Sequence, residues 1–130
     1  MPEVRSYHRP DSVEEALRLL VQKDQSGAVI AGGTGLVARL DDDVTDIIDL
    51  QAAGLDRIEV TEDRITLGAM VRLQSIAENE AIPVEVRDAA RREGPNTLRY
   101  AATVGGIVVA ADWESELFAA LLAYEGQVTV

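Results

Sequence analysis

The most constraining stretch of this chain is Ala28-Val29-Ile30-Ala31 followed by Gly32-Gly33-Thr34-Gly35. An apolar run of strand length without alternation predicts a strand buried on both faces. The glycines that follow let the main chain turn sharply and approach other atoms with no β-carbon in the way. Residues 36–40 leave room for roughly one helical turn before Asp41-Asp42-Asp43 closes it. Strand, glycine turn and helix start together aim backbone N–H groups at a phosphate, and Thr34 adds a hydroxyl. The same pattern also serves as a plain tight turn between strand and helix. Gly33-Thr34-Gly35-Leu36-Val37-Ala38 formally fits G-x-G-x-x-A, but a nicotinamide-binding crossover needs a helix of about ten residues or more. The aspartates arrive too soon for that.

Composition narrows the alternatives. The chain has 130 residues, enough for one compact domain or two very small lobes sharing a core. It carries 23 acidic against 12 basic residues, a formal charge of −11. Such a surface repels phosphate backbones and anionic lipid, so no nucleic-acid partner and no membrane association are expected. The absence of cysteine removes disulfides, iron–sulfur ligation, zinc-thiolate sites and thiol nucleophiles. A single histidine, His8, argues against a Ser-His-Asp machine, and Lys23 is the only lysine available for Schiff-base chemistry. No signal peptide or spanning run is visible, which predicts a cytoplasmic setting. Binding modules remain.

Pro10 keeps an extended opening segment, Ser6 to Arg9, out of the helix region. Ser12 with Glu15 reads as a capping box for a helix whose apolar face includes Val13, Ala16, Leu17 and Leu20. A strand is expected at residues 46–50, completing a small βαβ-like lobe. Residues 58–60 and 65–67 flank Thr61-Glu62-Asp63-Arg64 in the pattern of an antiparallel hairpin. Leu73, Ile76 and Ala77 mark the core face of a helix, and Pro83 starts another over residues 84–92. Residues 96–102 are expected as a loop, 115–124 as a helix and 127–130 as a strand in which the chain stops. The lobe boundary falls near residues 52–56, dividing the chain into lobes 1–54 and 55–130.

Thr103-Val104-Gly105-Gly106 is a second glycine loop beside an apolar segment, Ile107 to Ala110. Its alternatives are a bulge or turn in a strand and a second amide cradle. Two such cradles suit a ligand with two linked phosphates, because neutral N–H dipoles hold an anion without clustered cations. Arg99 is placed either to add one positive charge or to make a surface salt bridge.

Ala31 to Leu36, followed by Leu98-Arg99-Tyr100-Ala101-Ala102-Thr103-Val104-Gly105-Gly106, resembles the FAD-binding subunit of molybdenum hydroxylases such as carbon monoxide dehydrogenase and xanthine dehydrogenase. Residues 7–20 resemble that family's opening strand and first helix, and Leu67-Gly68-Ala69 its turn after the hairpin. The resemblance runs through nearly the whole chain. It implies an α+β (α/β) chain with the PCMH-type FAD-binding fold, cut before the family's C-terminal lobe. It further implies that Ala31, Gly32, Gly33, Thr34, Gly35 and Leu36 wrap the FAD diphosphate while Thr103, Gly105 and Gly106 close on it. Val109 would lie along the cofactor, and Glu116 stands where the family has an aspartate near the flavin. The implied partners are an iron–sulfur subunit and a molybdopterin subunit, or a second copy docked through an exposed edge. No metal site and no catalytic side chain are expected in this chain.

Two substitutions depart from the family pattern. Ile107 replaces an asparagine that makes a polar contact to the cofactor, and Trp113 replaces a proline. Trp113 is expected either to stack on the flavin ring or to fill a gap in the core or a subunit interface. Residues 41–43 are expected as a solvated loop and His8 as a partly exposed strand residue. The resulting expectation is a flavin-positioning module of an electron-transfer chain. Its alternative is a non-catalytic assembly module of the same fold with a decayed cofactor site.

Overall fold

A computed structural model describes residues 2–34 and 40–130. The first part of the chain forms β1 (Ser6–His8), α1 (Val13–Lys23), β2 (Gly27–Ile30) and β3 (Asp46–Asp49). These strands make a parallel sheet in the order β1-β3-β2, with Tyr7 opposite Ile47 and Ala28 also opposite Ile47. The central position therefore belongs to β3, which is buried throughout, while β2 is an edge strand of intermediate burial. This corrects the expectation for residues 28–31: an unbroken apolar run is compatible with an edge covered on one side only. The one-turn helix expected at residues 36–40 falls almost wholly outside the described residues.

Ser12 caps α1 by accepting from the Glu15 N–H at 3.1 Å. The Glu15 carboxylate reaches back to the N–H of Asp11, at 3.3 Å, rather than to that of Ser12. Acidic first-turn residues and Lys23 in the last turn suit the helix dipole.

Two aspartates in the most buried strand need partners, because an unpaired buried carboxylate is costly. Asp46 accepts from Thr45 Oγ1 at 2.7 Å, meets His8 Nε2 at 2.8 Å and pairs with Lys23 Nζ at 3.1 Å. The His8 and Thr45 hydrogen bonds, with Lys23 adding to them, pull its pKa down from 3.8 to about 2. Asp49 accepts from the Tyr7 hydroxyl and from the Gln51 N–H. That bond to a carboxylate raises the Tyr7 pKa. These contacts stitch β1 and α1 onto β3. His8 sits half-buried in the opening strand, as expected.

The second part begins with a hairpin, β4 (Ile58–Val60) and β5 (Ile65–Leu67), with Ile58 opposite Leu67. Five helices follow: α2 (Leu73–Glu78), α3 (Val84–Arg92), α4 (Asn96–Ala101), α5 (Val104–Ala110) and α6 (Glu116–Ala123). Leu73, Ile76, Val86, Ala90 and Leu117 form the centre of one apolar core. Glu93 secures α6 by accepting from Ser115 Oγ and from the Leu117 N–H, at 2.5 and 2.8 Å.

Three local expectations change here. Residues 96–101 form α4 instead of a loop, because Pro95 presets the backbone and its carbonyl accepts from Leu98 and Arg99. Gly105 and Gly106 lie in the first turn of α5 rather than in an open loop. Residues 127–130 join no ladder among the described residues and are exposed, since a short apolar segment gains little without a strand beside it. Trp113 is 87 % exposed, which removes its role as a core filler.

Candidate functional site

The two parts of the chain meet where sequence reasoning placed the glycine motifs. A β-carbon built on Gly32 would lie 1.9 Å from the Ala101 carbonyl oxygen and 3.2 Å from the Ala102 α-carbon. Only glycine permits that approach. The turn after β2 therefore packs directly on the main chain leading into Thr103. Gly33 has φ of 73°, the left-handed region in which a side chain is strained. Together these glycines bend the loop and let its backbone approach Ala101 closely. Among the described residues, none accepts from the N–H of Gly32, Gly33 or Thr34. Gly35 and Leu36 lie outside the described residues.

The second motif has a different role. Segment 69–73 runs antiparallel to segment 102–105, centred on a bridge between Arg72 and Thr103. The N–H groups of Leu73, Val104 and Gly105 donate to Ala102, Val71 and Ala69 at 3.0, 2.9 and 2.9 Å. The Gly106 N–H donates to Thr103 Oγ1 at 3.2 Å, capping α5. Thr103 itself is 2 % exposed. The Gly105 and Gly106 amides are thus engaged within the chain, the first joining segment 102–105 to segment 69–73 and the second capping α5. The signal was available in Thr103, an N-cap residue three positions before Gly106.

Arg99 makes neither the expected salt bridge nor a free cation. Its guanidinium donates to Gln74 Oε1, Arg91 O and Gly94 O at 2.9, 3.1 and 2.7 Å, and also to Asn96 Oδ1. It clamps α2, α3 and α4. Val109 is 87 % exposed on α5, and Glu116 at the start of α6 pairs with Arg92. The contact with the Glu116 carboxylate holds the Arg92 guanidinium above its ordinary pKa.

Sequence reasoning passed over Arg72. Its Nη1 donates at 2.6 Å to the Ala101 carbonyl, the oxygen packed against Gly32. With Gln51, Asp56, Met70, Val71 and Ser75 it lines a cavity of about 130 Å³. No local motif marks this residue. Its proximity to the first loop arises from the pairing of segments 69–73 and 102–105. Among the described residues no group of three or more His, Cys, Asp or Glu is placed to hold a metal ion, and no helix is long and apolar enough to cross a membrane.

Comparison with known proteins accords with this arrangement. The chain is 33 % identical over 131 residues to the 6-hydroxypseudooxynicotine dehydrogenase complex subunit alpha of Paenarthrobacter nicotinovorans, covering 95 % of this chain and 44 % of that protein. It is 36 % identical over 110 residues to the nicotinate dehydrogenase FAD-subunit of Eubacterium barkeri, covering 77 % of this chain and 36 % of the relative. It resembles a crystal structure of the Cu,Mo-CO dehydrogenase in its cyanide-inactivated form, with a TM-score of 0.78 at 25 % identity. That match covers 86 % of this chain and 42 % of the other. The chain thus spans less than half the length of each. Over residues 2–130 it matches the family described as the FAD binding domain in molybdopterin dehydrogenase, and to that family it belongs.

Proposed function

We propose that this chain holds the diphosphate of FAD on its first glycine turn and presents the flavin for electron transfer between subunits of a molybdenum hydroxylase. Ala31, Gly32, Gly33, Thr34, Gly35 and Leu36 form the cradle. Thr103, Gly105 and Gly106 form the rigid wall behind it, and Val109 and Glu116 lie toward the flavin. Residues 1–54 and 55–130 act as two lobes meeting at this line. The observation that carries the reading is the conjunction at Gly32: a backbone contact that forbids a side chain, beside N–H groups that no described residue uses.

The residues present fit the cofactor. Gly33 takes a left-handed φ of 73°, and N–H dipoles left unused by the described residues suit a diphosphate in a protein of net charge −11. FAD, when bound, supplies the hydride and electron chemistry. The chain supplies position. Its loop fixes the diphosphate, and the Thr103-capped helix keeps the wall from shifting. The exposed side chains of Val109 and Trp113 offer apolar and aromatic surface to a planar ring. Electrons would arrive from an iron–sulfur subunit served by a molybdopterin subunit in the cytoplasm.

Absorbance of the purified protein titrated with FAD, read beside its size-exclusion mass, tests this. Flavin uptake is expected. A colourless protein that ignores FAD yet forms a stable complex would instead mark an assembly module with a decayed site, a reading opposed by first-turn N–H groups that no described residue uses.

A further inference from the structure

We infer that Arg72 supplies the positive charge of the diphosphate cradle. The inference rests on the FAD reading above and deepens it by naming the residue that neutralises the ligand's anionic bridge. An acidic protein gathering a dianionic group gains from neutral N–H dipoles, but a nearby guanidinium adds a true counter-charge.

Arg72 fits that role by position. Its Nη1 is held at 2.6 Å by the Ala101 carbonyl, and that same oxygen sits where a Gly32 side chain would be. The guanidinium is thereby fixed beside the loop whose Gly32, Gly33 and Thr34 N–H groups no described residue uses. Among the described residues no carboxylate oxygen lies within 4.0 Å of its nitrogens, and no acceptor other than Ala101 takes its N–H donors. Asp56 lines the same small cavity without reaching ion-pair distance. The residue is half-buried, so its field is screened less than that of a surface arginine.

Four other arginines among the described residues are committed elsewhere. Arg91 and Arg92 pair with Asp88 and Glu116, and Arg99 is consumed by its clamp. Arg9 donates to Gln51 Oε1 at 3.2 Å. A guanidinium anchored through one nitrogen keeps further N–H donors in a fixed plane, which suits two phosphate oxygens better than a mobile ammonium does. Ordering by Ala101 before binding lowers the entropic cost of that contact.

The test compares the wild-type chain with Arg72→Gln and Arg72→Lys. Glutamine keeps an N–H for the Ala101 carbonyl while removing the charge, and lysine keeps the charge. Each protein is first shown to melt cooperatively, then titrated with FAD and with riboflavin at low and high sodium chloride. Arg72→Gln is expected to weaken FAD binding about tenfold. Riboflavin, which lacks phosphate, should bind unchanged. The salt dependence of FAD binding should become shallower in Arg72→Gln and recover in Arg72→Lys. Wild-type FAD affinity and salt dependence in Arg72→Gln would overturn the assignment. So would an equal loss of FAD and riboflavin, which marks a purely structural role. A wild-type chain that takes up no FAD removes the underlying reading itself, a result separable from either of these.

Discussion

Gly32 and Ala101 touch through their backbones: a β-carbon at position 32 would stand 1.9 Å from the Ala101 oxygen. This contact joins the turn after β2 to the end of α4, just before the segment that carries the second glycine motif. Gly32→Ala forces the two segments apart. The expected cost is about 2 kcal/mol of stability, the scale of overpacking against atoms that cannot rotate away. FAD affinity should fall with it. Chemical denaturation with a parallel FAD titration measures both.

Gly33 tests the turn separately from the packing. Its φ of 73° strains any residue with a side chain. Gly33→Ala is expected to cost about 1 kcal/mol. It should also weaken FAD binding while leaving riboflavin binding intact. A variant bound by FAD as tightly as the wild type would place the diphosphate elsewhere.

The hairpin and the helix opened by Pro83 were legible because alternation and proline are local signals, and α3 begins and ends where they place it. The strand at 27–30 was legible, but its place at the sheet edge was not, since burial depends on the partner order β1-β3-β2. The second motif misled because two glycines look like a loop. Thr103 overrides their poor helix propensity by capping the turn, and Ala69 engages the Gly105 N–H from the other strand. Arg72 lies forty residues from the first loop, so only tertiary pairing brings it there. The strand-then-glycine pattern at residues 27–33 was plain in sequence because both signals are local.

Thr103 should therefore behave as a helix cap. Thr103→Ala is expected to lose about 1 kcal/mol, and Thr103→Ser to restore most of it. Thermal unfolding of the two variants distinguishes this from a ligand hydroxyl, whose loss would leave the apoprotein unchanged.

Arg99 provides the opposite contrast. Its four acceptors tie α2 to the loop between α3 and α4. Arg99→Met should destabilise the protein by about 2 kcal/mol, since hydrogen bonds to a charged group are among the stronger ones. The intrinsic affinity for FAD of the folded fraction should stay unchanged. Denaturation and flavin titration together check that separation.

Acid should act through Asp46. Its pKa in the folded protein is about 2, below its ordinary 3.8, because His8, Thr45 and Lys23 favour the carboxylate. The unfolded chain thus takes up this proton first. The stability it contributes is complete above about 3.8 and is lost as pH falls toward about 2. Asp46→Asn should flatten that part of the profile, measured as the urea midpoint against pH.

On the proposed reading, backbone N–H groups of the first turn grip a diphosphate. Fluorescence titration of the purified chain with FAD, in competition with ADP and beside riboflavin, tests it most directly. Saturable FAD binding that ADP displaces and riboflavin does not match is expected. Riboflavin binding as tightly as FAD, or ADP failing to compete, would contradict it.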